Sequence, residues 1–150
     1  MTTIFAIDPG TTQSGWVLLK DGILVLDAGV SDNHDVLRWV QAGQGADVLA
    51  IEMIEAMGMA VGRETFATVR WIGRFQQAWR DPEAVLLVHR SQVKLGICGS
   101  SRAKDANIRQ ALIDRLGAPG TKRAPGPTYG VTSHAWQALG VGVVAQGRAA

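Results

Sequence analysis

Two apolar runs that each carry a carboxylate near their end constrain this chain more than any other feature. "TIFAID" (residues 3–8) closes on Asp8, and "DVLAIEMI" (47–54) carries Glu52. The second run is almost continuously apolar, as expected of a central strand buried on both faces. A carboxylate at the end of such a strand needs a partner, because an unpaired buried charge is costly. For Asp8 the partner could be a metal ion, a phosphate held through a metal, or an amide of Thr11 or Thr12 in the Pro-Gly-Thr-Thr turn. Glu52 could pair with an arginine instead. Neighbouring strands lie about 4.8 Å apart, so adjacent strands would bring the two acids close enough to share a cation. Without one, two nearby anions repel. A hard divalent ion such as Mg²⁺, held by carboxylates and a substrate phosphate, resolves that conflict.

The remaining pattern supplies a frame for these acids. Residues 3–8, 14–20 and 23–28 read as strands, with "KDG" (20–22) as a tight hairpin turn. Residues 31–43 read as a helix capped by Ser31 or Asp32, with Val36, Leu37 and Val40 inward. Residues 47–54 form the fourth strand. A helix over 63–80 follows, with Phe66, Val69, Ile72, Phe75 and Trp79 as its core stripe and Arg63, Arg70, Arg74 and Gln77 on another side. Trp71, off the stripe, suits a dimer interface or the core equally. Residues 84–89 make a fifth strand, 103–117 a helix, 118–130 a Pro/Gly-rich loop, and 131 onwards the last helix. A meander followed by strand–helix alternation predicts an α/β fold, a mixed five-stranded sheet flanked by helices on both faces. At 150 residues the chain is expected to be one domain, 1–150, able to bury its own core.

Composition narrows the function classes. Residues 1–62 hold eight acids against Lys20 and Arg38, a net −6, whereas residues 63–123 hold twelve Lys or Arg against five acids, a net +7. An acidic half for cations beside a basic half for phosphates suits a nucleic-acid enzyme. A single cysteine, Cys98 in "LGICGS", excludes an internal disulfide and any multi-cysteine zinc site, and reads as a small core or loop residue. Asp8 interrupts the only apolar run near the N-terminus, so no signal peptide is expected. No apolar segment reaches the roughly 18 residues of a membrane span. The expectation is a protein of the cytoplasm, the host's if a phage encodes it, with no membrane partner.

Four blocks, "AIDPGTTQSGW", "AIEMI", "SRAKDANIRQAL" and "GVTSHAWQALGVG", together resemble the RuvC family of Holliday junction resolvases, particularly its phage-type branch, in order and spacing through essentially the whole chain. The "DPGTT" turn alone also resembles that of heat-shock and sugar-kinase ATPases. Those need two such domains, so no nucleotide cofactor is expected here. The resemblance implies a single RuvC/RNase H-like nuclease domain, a homodimer, and Mg²⁺-dependent symmetric nicking of four-way DNA junctions. It further implies two ions per site and products with 5′-phosphate and 3′-hydroxyl ends.

Carried over residue by residue, Asp8 and Glu52 match the family's first two acids. His134 matches the first last-helix position, where His is an accepted variant, making Asp8, Glu52 and His134 the expected metal ligands. Gln137 stands where many members have a further Asp, which leaves −2 on the site. Weaker metal binding or a preference for Mn²⁺ is then expected. Asp105 is a possible replacement acid, although an Asp at a helix start is also a favoured cap. Glu55 and Glu64 read as solvated or paired with arginine. Arg63, Arg70, Arg74, Lys94, Arg102, Lys104 and Arg109 are the candidate DNA contacts, positioning the phosphate backbone without reading sequence. Competing readings are a broader branched-DNA or flap nuclease for phage DNA processing, and a catalytically weak junction-binding protein.

Overall fold

The computed structural model describes residues 1–149. Its first three strands, β1 (Thr3–Asp8), β2 (Gln13–Lys20) and β3 (Leu24–Asp32), form an antiparallel meander. Helix α1 (Asn33–Ala42) then leads to β4 (Val48–Met53), which pairs parallel with β1. Helix α2 (Arg63–Ala78) leads through one 3₁₀ turn to β5 (Leu86–His89), parallel to β4. Helices α3 (Arg90–Cys98), α4 (Asp105–Leu116) and α5 (Ala135–Ala149) complete the chain. The sheet order is β3-β2-β1-β4-β5. None of the described helices is long and apolar enough to cross a membrane.

Strand alternation sorts the core into two layers. Ile4, Ala6, Val17, Leu19 and Ala50 pack with residues of α3, α4 and α5, while Phe5, Ile7, Leu49 and Ile51 pack with α1 and α2. Helix α5 sits closest to the sheet centre. Gly142 allows this, because a Cβ there would crowd Leu19 and Ala6.

The mixed five-stranded sheet with helices on both faces is as expected, but several element boundaries differ. β3 runs on to Asp32, and Asp32 caps α1 by accepting the His34 amide at 2.8 Å. The stretch after β5 is a helix, α3, where none was expected. It buries only Val93, so it has no apolar stripe to read, and Gln92 reaches back to the His89 amide at 2.9 Å to start it. α5 begins at Ala135, which leaves His134 in the turn before the helix. Lys104 occupies the cap of α4, so Asp105 is its first residue and not its cap. In α2, Phe66 and Val69 are 60% and 36% exposed and do not join the core, whereas Ile72, Phe75 and Trp79 are buried. Helical spacing marks a stripe but does not reveal how far the underlying sheet extends.

That division within α2 is testable by urea denaturation. Phe75→Ala should cost about 3–5 kcal/mol, as for a fully buried aromatic. Phe66→Ala should stay within about 0.5 kcal/mol of the parent chain.

Candidate active site

Asp8 ends β1 and Glu52 is the penultimate residue of β4. In the parallel β1–β4 ladder Ile7 lies opposite Ile51, so the two acids follow on the next rung. Both share the alternation of Ala6 and Ala50, which face α5. The carboxylates therefore point to the side where α5 begins. There the His134 ring meets Asp8, with Nδ1 3.2 Å from Oδ2. Gly15, opposite Asp8 on β2, permits this approach, since a Cβ at residue 15 would overlap the His134 carbonyl.

The turn after Asp8 is held by residues that sequence reading passed over. The Gly10 amide donates to Ser14 Oγ (3.3 Å), Ser14 donates to Asn33 Oδ1 (2.5 Å), and Asn33 Nδ2 donates to the Gly10 carbonyl (2.9 Å). Asn33 and Ser14 are buried, and the Asn33 amide also donates to the Thr12 carbonyl. This relay takes over the capping task considered for Asp8. Among the described residues, Asp8 accepts no amide of Thr11 or Thr12 and its side-chain partner is His134.

Electrostatically the pair is under strain. Burial pushes the Asp8 carboxyl up to about 7, with Arg90 opposing and Asp105 adding to the rise. Burial and then the charge of Asp8 push Glu52 up to about 8, against Arg90 and Lys94. Glu52 Oε2 is buried without a hydrogen-bond partner among the described residues. Arg90, the first residue of α3, places a guanidinium nitrogen 4.0 Å from Glu52 Oε1 and another 2.5 Å from Asp105 Oδ1. Burial alone would lower the Arg90 pKa, but Glu52, Asp105 and Asp8 together hold it above its already high ordinary value.

Three hollows meet here. One of about 220 Å³ lies over Asp8, Gln13, Glu52, Thr68, Arg90 and His134. A second, also about 220 Å³, lies across Arg90 and is lined by Glu52, Glu55, Ser91, Lys94 and Ser101. A cleft of about 500 Å³ opens on the other side of His134, between Asp105, Arg109, Trp136 and Gln137.

The expected site residues thus divide. Asp8, Glu52 and His134 come together, and Arg90, which sequence reading did not single out, joins them. Asp105 lines the cleft, not the hollow over the two acids, and is paired with Arg90. Gln137 is buried in the first turn of α5, its Oε1 unpartnered among the described residues, and lines the same cleft. Glu55 accepts from Ser91 Oγ at 2.7 Å, and Glu64 is exposed in the first turn of α2. Lys94 and Arg109 line the hollows beside the acids, with Arg109 also 5.5 Å from the Trp136 ring centre. Arg102 and Lys104 are exposed between α3 and α4. Arg63, Arg70 and Arg74 are exposed on α2, where Arg74 stacks on Trp71 at 3.9 Å. Trp71 itself is half-buried, packed on Phe75 and the core beside α1.

These residues fit a divalent ion in an open site, though not in a closed cage. Two buried carboxylates with raised pKa values and an orphaned Glu52 oxygen are oxygen donors suited to a hard cation. No three His, Cys, Asp or Glu side chains among the described residues are grouped tightly enough to enclose one. Mg²⁺ characteristically binds one or two carboxylates and completes its shell with water and substrate phosphate.

The strained acids make stability depend on pH with a definite sign. In the folded chain both carboxyls keep protons that the unfolded chain releases near pH 4, so folding is favoured below about pH 4. That contribution is lost as pH rises to about 8. Without divalent ions, Asp8→Asn and Glu52→Gln should each raise the thermal midpoint at about pH 9, by stabilisation on the order of a few kcal/mol. The gain should vanish near about pH 4. Unfolding scans at the two pH values check this.

No family model and no curated protein matches the chain. Solved structures do match. T. thermophilus RuvC in complex with Holliday junction substrate is similar at a TM-score of 0.68 and 20% identity, over 96% of this chain and 92% of that one. A second Thermus thermophilus RuvC structure is similar at a TM-score of 0.67 and 19% identity, over 95% and 92%. The α/β architecture described above is the RNase H-like fold of RuvC.

Proposed function

We propose that this chain is a single-domain, metal-dependent endonuclease that nicks four-way DNA junctions as a homodimer. The observation that carries the reading is the pairing of Asp8 with Glu52 at the strand ends, beside His134 and with one Glu52 oxygen unsatisfied. An acid pair built only for stability would be matched by an arginine in hydrogen-bond contact, and Arg90 stays 4.0 Å from Glu52. The solved neighbour with junction DNA supports the substrate class.

In this reading Asp8 and Glu52 would hold one divalent ion, Mg²⁺ or Mn²⁺, and Asp8 with His134 would hold a second. Ions held there would supply Lewis acidity toward a phosphodiester and its attacking water. His134, set by Gly15 and the α5 start, keeps an imidazole nitrogen on the Asp8 carboxylate and so orients it. Lys94 and Arg109 bind backbone phosphates on either side of the acids, and Arg63, Arg70, Arg74, Arg102 and Lys104 extend that contact. A two-fold dimer would present two such sites to opposed strands. The products are 5′-phosphate and 3′-hydroxyl ends.

The test uses labelled four-way, three-way and flap DNA with Mg²⁺ or Mn²⁺. The parent chain should nick the four-way junction symmetrically. Asp8→Asn should lose cleavage at least ~10³-fold, in line with loss of a group that acts in the transition state, yet still bind the junction. Equal cleavage of every branched form would favour a general branched-DNA nuclease. Binding without cleavage in either metal would leave a junction-binding protein.

A further inference from the structure

Arg90 has no place in the chemistry assigned above, yet it touches more of the acid centre than any other cation. It stands at the head of α3, one residue beyond the β5 position that pairs with Met53. Its guanidinium bridges Glu52 and Asp105, acids from separate elements. Of the five N–H donors an arginine offers, one is committed, to Asp105. The side chain is 46% exposed and forms the wall between the hollow over Asp8 and the hollow holding Lys94. A permanent ion-pair partner would instead be expected to close a bidentate fork on one carboxylate.

We infer that Arg90 is the resident counter-cation of the acid centre, yielding Glu52 to a divalent ion and turning its free donors onto the backbone phosphate beside it. Asp105 anchors the guanidinium through one nitrogen, so the other can swing between Glu52 and a phosphate oxygen. The arrangement keeps a positive charge beside Glu52 when no ion is bound. It also delivers that charge to the phosphate on which negative charge builds during cleavage. This role rests on the metal-dependent nuclease reading, since it requires an ion that competes for Glu52.

Arg90→Gln and Arg90→Lys separate the possibilities. Mn²⁺ titration by calorimetry, without DNA, should show Arg90→Gln binding about tenfold tighter than the parent, because a competing positive charge a few ångströms away is gone. Arg90→Lys should bind Mn²⁺ like the parent. With junction DNA, Arg90→Gln should cleave about 100-fold more slowly in single turnover, and its junction affinity in Ca²⁺ should stay within about threefold, as expected for an interaction made in the transition state. Arg90→Lys, a point charge without the fork, should fall between. Unchanged or weaker Mn²⁺ binding by Arg90→Gln, with the parent cleaving normally, overturns the counter-cation role alone. A cleavage loss matched by an equal loss of junction affinity overturns the transfer to phosphate. No Mn²⁺ uptake by either protein overturns this inference together with the metal-dependent reading.

Discussion

The parallel pairing of β1 with β4 is the constraint on which the site depends. Ile7 opposite Ile51 sets a register in which Asp8 and Glu52 must emerge side by side. Strand alternation then sends both to the α5 face, where they are largely buried at the floor of a hollow. A shift of one residue in either strand would turn that strand's acid to the opposite face, among Phe5, Ile7 and Ile51. The register is defended by the packing of both core layers, since a slip would carry Ile4 or Ala50 from the α5 layer into the α1–α2 layer and drive a carboxylate into apolar packing. Folding stability thus holds two like charges where they repel.

That placement explains several features around the acids. Gly15 has no side chain because the His134 backbone occupies the space above β2. Ser14 and Asn33 are buried polar residues because the Pro9-Gly10 turn needs donors and acceptors that leave the Asp8 carboxylate free. Arg90 lies at a helix head because β5 ends level with β4, which carries the guanidinium to the rim of the acid pair. Each of these follows from the need to approach Asp8 or Glu52 without closing them off.

Much of this was legible from residue order. Apolar runs ending in Asp8 and Glu52 identified the central strands, because a run buried on both faces has few alternatives in a chain of this length. His134 was legible through the motif around it, although the last helix, expected from residue 131, starts only at Ala135 and leaves His134 in the turn before it. Arg90 was not legible. It lies in a short helix with one buried residue, and its importance comes from two acids, 38 residues upstream and 15 downstream, that only the fold brings together. Asn33 and Ser14 were missed for a similar reason, since a buried amide and hydroxyl have no periodicity and their partners are set by the turn. Phe66 and Val69 misled because helical spacing persists beyond the part of α2 that meets the sheet.

The charge balance around His134 bears on how such a site could work with fewer acids on its last helix. Gln137 is buried with an unpartnered oxygen on the cleft that Asp105 also lines. An aspartate at residue 137 would add a third buried anion to a fold in which burial already pushes the Asp8 and Glu52 carboxyls up to about 7 and 8. An amide keeps the oxygen without burying another charge. Asp105, on the exposed first turn of α4, carries its charge where solvent and Arg90 lower its cost. A charge placed there weighs less on the folded state than one buried in α5 would. It also leaves Arg90 as a cation standing between buried Glu52 and exposed Asp105, so the charge balance of the acid centre is set in part from the head of α3.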